Sequence, residues 1–385
     1  MGAHHTDSSS VMISGRQYSL LEVIQDKPKY WLGSDIQKAY NGQLPFLLKL
    51  LAADHALSIQ VHPSVQQAAR GYALEERQGI AAEAPFRTYK DANHKPEMLL
   101  AQSDFWGMCG FRPGKQIARL FLPARQRLET EQIDSAELEE LWCILDSIQE
   151  NGGLERFFRA VMSLILHNRL QAARLLSAVL NSSYEELVSI DSDVAYWVQQ
   201  LSEQFPADPA AIAPLFLNLI HLQPGEAIAL HAGVLHAYLS GLGIEIMANS
   251  DNVIRAGLTH KHVDAEALID SVQCVPYVPA MLRPEWDTPS TGVFPHMFKE
   301  FSLLQLKPDH GKVVFDRSSR IASSGPRILL AGADARLQIH DSDGNWLEVI
   351  SGNSVVIPHA VETFSVTGSG EGFVAAVGSG RCGET

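Results

Sequence analysis

The feature that most constrains the fold of this chain is a change of periodicity along it. From about Gln116 to Phe205, apolar residues recur at the three- and four-residue spacing of an amphipathic helix, as in Leu154, Phe157, Val161, Leu164 and Ile165. On either side the pattern is different: short apolar runs are bounded by Gly, Pro and Asn, as strands are by turns. The run Leu44–Ile59 (LPFLLKLLAADHALSI) reads as buried strand, Leu222-Gln-Pro-Gly-Glu226 as a turn between strands, and Gly352–His359 as another turn and strand. Inside the helical block one helix is expected over Leu154–Leu180, stopped at Asn181. The next opens at Ser183, with Glu186 completing an S-x-x-E capping box.

A helical run between two β-rich stretches reads as an insertion into a β domain. At 385 residues the chain also exceeds what one core usually holds. The expected fold is therefore mainly β: two β-jelly rolls with an inserted α-helical domain. The first jelly roll is split over residues 1–112 and 208–275, the helical domain takes 113–207, and the second jelly roll takes 276–385.

Charge and cysteine content narrow the function. The net charge of −14 argues against nucleic acid and anionic membrane surfaces as partners, and no apolar run, Val161–Leu166 included, is long enough to span a bilayer. An acidic protein that handles a phosphate ester must also gather its basic residues locally. The four cysteines, Cys109, Cys143, Cys274 and Cys382, form no C-x-x-C pair and no disulfide framework, so a cytoplasmic location is expected.

Three segments carry chemistry. In Leu57-Ser-Ile-Gln-Val-His-Pro63, strand alternation sends Leu57, Ile59 and Val61 to one face and Ser58, Gln60 and His62 to the other. Two metal-ligand types then stand side by side, though Q-x-H alone is a weak signal. Asn93-His-Lys-Pro-Glu97 sets a histidine, a lysine and a carboxylate at the mouth of an apolar strand; in isolation it reads as a charged loop. The third, His236-Ala-Tyr-Leu-Ser-Gly-Leu-Gly-Ile-Glu-Ile-Met-Ala-Asn-Ser-Asp-Asn-Val-Ile-Arg-Ala-Gly-Leu-Thr-His-Lys261, puts a histidine after a turn and strand. It ends in a Gly-containing loop whose Arg255 and Lys261 form a local cationic patch.

Together, LPFLLKLLAADHALSIQVHP, DANHKPE and HAYLSGLGIEIMANSDNVIRAGLTHK resemble the signature segments of the type I phosphomannose isomerases, in the family's order, from the start of the chain to about residue 275 and more loosely beyond. The resemblance implies that the two β-jelly rolls are cupin-type, with one Zn²⁺ per chain held by Gln60, His62, Glu97 and His236. It implies a sugar-phosphate substrate, mannose 6-phosphate, isomerised to fructose 6-phosphate through an enediol. Arg255 matches the family's catalytic arginine, and Lys49, Ser58, His94, Lys95, Glu245, Asp251 and Lys261 match its pocket. Glu245, His94 and Lys95 stay open as proton carriers. A monomer is expected. The implied ligand set leaves the metal a formal charge of about +1 and room for an oxygen ligand, as a Lewis acid needs.

The chain departs from the family pattern twice. Leu258-Thr-His-Lys261 has His260 where the family has proline, which frees φ and loosens the loop. Met1-Gly-Ala-His4 matches the middle of a W-M-G-A-H segment that normally follows the first strands, so an open sheet edge and uncovered apolar surface are expected there. Two other functions compete: a metal-bound but inactive sugar-phosphate binder, and an Fe(II) oxygenase. Gln60 and the Arg255/Lys261 pair speak against the oxygenase. Plainer readings apply elsewhere. His359 is expected to be structural, His4-His5 and His260/His262 to be solvated, Phe157, Phe158, Trp197 and Phe205 to be core, and Cys109 to be buried and unreactive.

Overall fold

A computed structural model of the chain describes residues 1–378 except 134, 207, 296–297 and 317–324. Cys382 lies outside the described residues. The architecture is the mainly β one expected: two antiparallel β units with a helical insertion.

The first unit is a nine-stranded, barrel-like sheet organised by one long strand, His236–Ala248. The first part of that strand pairs with Ile59–Val61 and Phe105–Phe111, and the second part with Phe46–Ala53 and Glu97–Ala101. It therefore belongs to both walls. The change of partners falls at Gly241, whose φ is +124° and where a Cβ would lie 2.6 Å from the Asp104 carbonyl oxygen. Only glycine fits there. Leu217–Leu222 and Ile254–Gly257 extend one wall, and Ala227–Leu230 and Met281–Leu282 the other.

In the second unit a six-stranded sheet packs on a four-stranded one. Leu304, Phe315, Leu337 and Phe364 fill the core of this unit, whereas Leu303, Ile328 and Phe373 join Leu48, Met98 and Ile246 of the barrel. Adjacent Leu303 and Leu304 serve different cores because strand side chains alternate. The same inter-unit core takes Leu20, Ile24, Trp31 and Leu32. His359 lies in this region: its N–H donates to the Trp31 carbonyl, and its ring packs against Gly33.

Among the described residues, six α-helices, the first Gly114–Thr130 and the last Ser192–Gln204, lie between the strands Phe105–Phe111 and Leu217–Leu222. Their core holds Phe121, Phe157, Phe158 and Trp197, together with Phe111, Ile59 and Val61 of the barrel. Phe111 meets Phe158 edge to face at 5.4 Å, and Phe157 meets Phe216 in the same way at 5.9 Å. These rings bind the insertion to the barrel. Among the described residues, no helix is long and apolar enough to cross a membrane.

Several local expectations are corrected. The helix expected over Leu154–Leu180 is two helices, Gly153–His167 and Arg169–Ser177, followed by a π-helical turn, Ala178–Ser182. The break is Asn168 (φ −119°, ψ 52°), a residue type that favours helix ends over interiors. Ser183 precedes a helix, Tyr184–Ile190, but does not cap it: its buried hydroxyl donates to the Ala178 carbonyl. The stretch before Phe111 is not only strands and turns. It holds the short helices Leu20–Asp26, Pro28–Leu32 and Ser34–Ala39 and the longer Val65–Arg77. The last opens with a capping box, in which Ser64 Oγ accepts from Gln67 N and Gln67 Oε1 accepts from Ser64 N. The free edge of Phe46–Ala53 meets Met1, which exchanges both backbone hydrogen bonds with Leu48.

Truncating the aromatic joint tests this packing. Phe111→Ala is expected to destabilise the protein by about 3–5 kcal/mol, read from urea unfolding. A loss below about 1 kcal/mol would mean that Phe111 does not tie the insertion to the barrel.

Candidate metal centre

The strand Ile59–Val61 presents opposite faces to two interiors. Ile59 and Val61 enter the helical core, and Gln60 stands on the other face, opposite His236 in the ladder. His62 follows just beyond the strand and is fully buried. Glu97 opens the next barrel strand, paired with Met247 and Leu230, and is 1% exposed. Sequence positions far apart thus converge on one point.

His62, Glu97 and His236 form a buried cluster whose ligand atoms all lie within 4.8 Å of one another. His62 Nε2 is 3.2 Å from Glu97 Oε1, and His236 Nε2 is 3.5 Å from Glu97 Oε2. Both imidazoles are fixed from behind. His62 Nδ1 donates to the Asn252 carbonyl at 2.7 Å, and His236 Nδ1 donates to the Val234 carbonyl at 2.9 Å. With the proton on Nδ1, a neutral ring turns the Nε2 lone pair inward. Two lone pairs and a carboxylate then face one another. His62 Nε2 and Glu97 Oε2 are buried without a hydrogen-bond partner among the described residues. Such a set is unfavourable unless a cation joins it, so the residues fit a metal ion. Gln60 completes the ring: its amide nitrogen is 3.2 Å from His236 Nε2, and turning the amide end for end points its oxygen into the same space.

The surrounding charges are organised around Glu97. Burial alone would raise its pKa, but the positive charge of a protonated His62 and of Lys95 beside it holds the carboxyl well below the usual range. Lys95 Nζ is 3.3 Å from Glu97 Oε1; burial works against its charge, but Glu97 and Glu245 raise its pKa overall. Burial lowers His62, which favours the neutral, ligand-competent ring. Glu245 is pushed up to about 7, by burial first and then by the charge of Glu97, while Lys49 at 3.6 Å pulls the other way. Tyr238 is held protonated well above its ordinary range, mainly by burial.

Arg255 pairs with Gln60 across the ladder, so its side chain leaves the same face of the sheet. It is half-buried and has no ion-pair partner among the described residues, and burial lowers its pKa. Ser58 stands half-buried two residues before Gln60. Lys49 and Asp251 line one cavity of about 420 Å³ with Met1 and His4. His4 is not solvated: its Nε2 is 2.9 Å from Asp251 Oδ2, with His5 at 4.0 Å. Lys261 is exposed in the loop beyond Ile254–Gly257, as are His260 and, at the loop's start, the half-buried Thr259 in part. His94 is not brought to the cluster. Neighbouring Lys95 reaches Glu97, whereas His94 Nε2 turns to Glu300 at 2.9 Å.

Sequence reasoning missed Asn252. It is fully buried; its carbonyl fixes His62, and its amide donates to the carbonyls of Asp91 and Asn93. It stands inside the third signature segment, but a role played through a backbone carbonyl has no residue-type signal. Tyr238 was missed likewise. Cys109, opposite His236 in the ladder, is buried, and burial pushes its thiol up to about 12, so it is inert.

Residues 1–114 match the family described as phosphomannose isomerase type I, catalytic domain. The mannose-6-phosphate isomerase of Escherichia coli (strain K12) is 36% identical over 279 residues, 71% of this chain and 65% of that protein. The chain thus spans slightly less than two thirds of that relative. The Rattus norvegicus mannose-6-phosphate isomerase is 32% identical over 321 residues, 80% of this chain and 71% of that protein. Among solved structures, mannose 6-phosphate isomerase in its zinc-bound form gives a TM-score of 0.84 at 28% identity, covering 98% of this chain and 90% of that one. A mutant of phosphomannose isomerase from Salmonella typhimurium gives 0.85 at 28%, with the same coverage.

The cluster makes a direct prediction for metal content. Glu97→Gln removes its one negative ligand and should weaken divalent-metal affinity by more than about a hundredfold, the upper end of what an outer-shell partner costs. Elemental analysis of dialysed protein reads this, and a variant retaining the metal content of the parent would exclude Glu97 as a ligand.

Proposed function

The chain belongs to the type I phosphomannose isomerase family, and from that membership we propose that it interconverts mannose 6-phosphate and fructose 6-phosphate with one Zn²⁺ held by Gln60, His62, Glu97 and His236. The observation that carries the reading is the trio of buried atoms, two imidazole Nε2 and one carboxylate, that face one another with both Nδ1 atoms fixed on carbonyls. A zinc-bound relative of the same fold supports the choice of ion. When bound, Zn²⁺ supplies a Lewis acid that polarises the sugar carbonyl.

The chain's own residues do the rest. Arg255, unpaired among the described residues, stabilises the sugar oxygen that gains negative charge as the C2 proton leaves. Lys49, Ser58, Asp251 and Lys261 bind and orient the sugar phosphate. The C2 proton moves onto a carrier and the hydroxyl proton passes from O2 to O1 by way of the enediol, and the carried proton returns to C1 as the carbonyl shifts to C2. Three carriers were open. The His94 ring is engaged by Glu300 and the Lys95 ammonium by Glu97, which favours Glu245. The Glu245 side chain is 5% exposed, so the proton it holds is shielded from exchange with bulk water.

Turnover of mannose 6-phosphate in a coupled assay should vanish on chelation and return with zinc. A folded, zinc-loaded protein without turnover would leave a sugar-phosphate binder instead. Glu245→Gln should keep its zinc but lose about 10²–10⁴ in kcat and, in step, the transfer of deuterium from C2 to C1. Transfer at the parent rate would assign the carrier elsewhere. Arg255→Ala should lose about 10²–10³ in kcat with zinc content unchanged. Parent-like kcat would exclude Arg255 from stabilising the developing charge.

A further inference from the structure

A second cavity, of about 720 Å³, lies at the seam between the two β units. That volume is within the range of small-molecule sites, about 300–1,000 Å³. The barrel contributes Ala101, Gln102 and Glu226 to its walls, and the second unit contributes Trp286, Gln305 and Lys307. It is separate from the metal centre. Ala101 ends the strand that Glu97 begins, which sets the two about 13 Å apart at the usual rise per residue.

Three observations define its chemistry. Gln305 is 5% exposed, yet its side-chain amide has no hydrogen-bond partner among the described residues. Its neighbours Leu304 and Leu306 fill the core of the second unit, so alternation aims Gln305 at the seam. Both amide atoms are reached by solvent through the cavity, where a ligand or water can satisfy them. Trp286 keeps 42% of its surface exposed, on a ring set against Gly292, where a Cβ would come within 3.1 Å. The charges at the rim neutralise one another: Arg283 lies 2.7 Å from Glu226, and Lys307 lies 3.2 Å from Glu371 and over the Trp286 ring at 4.9 Å.

From these we propose that the seam cavity binds a neutral hexose ring, with its C–H face on Trp286 and its hydroxyls on Gln305. The balanced ion pairs leave no spare cation for a phosphate. An amide both donates and accepts, as a hydroxyl does, and the indole supplies an apolar surface beside polar partners. The inference is independent of the isomerase reading, since none of these residues belongs to the metal centre.

The test uses the full, zinc-loaded chain with mannose 6-phosphate present at saturation to occupy the metal site. D-mannose is then titrated in, and saturation-transfer NMR and tryptophan fluorescence are followed. Binding is expected to persist under these conditions. Trp286→Ala and Gln305→Leu should each weaken it at least tenfold, with zinc content and turnover unchanged. Trp286→Ala, at an exposed position, serves if the buried substitution perturbs folding. The proposal is overturned by absence of binding, by binding indifferent to Trp286→Ala, or by displacement of D-mannose by the sugar phosphate.

Discussion

The arrangement depends on one buried carboxylate. Glu97 is withdrawn from water at the centre of the barrel, and an ionised carboxylate there costs several kcal/mol unless positive charge and hydrogen bonds surround it. Lys95 supplies one fixed cation. The two histidines supply none while they are neutral, and their Nδ1 contacts to Asn252 and Val234 fix the tautomer that turns Nε2 inward. Neutral rings therefore leave Glu97 short of charge. The same geometry that makes the metal-free cluster unfavourable makes it selective for a compact cation.

Holding that geometry requires two interiors at once. Gln60 and His62 can face the barrel because Ile59 and Val61 are held in the core of the helical block. The insertion thus forms the outer support of the ligand strand, and a fault in its aromatic packing would reach the metal through one strand. The long strand does a second job. His236 near its start and Glu245 near its end lie on either side of Gly241, so the residue that lets the strand change walls also sets the spacing between ligand and carboxylate.

What the sequence revealed was what local period and residue type can encode. Alternation through Ser58, Gln60 and His62 put the ligand types on one face, and the turn at Pro224-Gly225 separated the strands it was expected to separate. What stayed hidden was decided by long-range contact. Ser183 has the right spacing for a capping box, but a carbonyl one turn back competes for its hydroxyl. Ser64 and Gln67 carry an equally local signal that does form, so the motif alone does not decide. His94 and Lys95 are adjacent in sequence, and only the docking of Glu300 from the second unit shows that they serve different surroundings. The His4–Asp251 contact joins residues at opposite ends of the barrel sequence, beyond the reach of any local pattern.

Charge completes the argument. A chain with a net charge of −14 repels anions at long range, so an anionic substrate must be met by cations that are close and uncommitted. Lys49 and Lys95 face Glu245 and Glu97, and their charge is largely spent on those partners. Arg255 differs: it stands in the ladder opposite Gln60, half-buried, with no carboxylate beside it among the described residues. Its charge is thus available to whatever oxygen approaches the metal ligands. A guanidinium stays charged despite the opposing effect of burial, because its ordinary pKa lies so far above neutrality. Placing an arginine there, and not a histidine, keeps a positive charge opposite Gln60 across the neutral pH range.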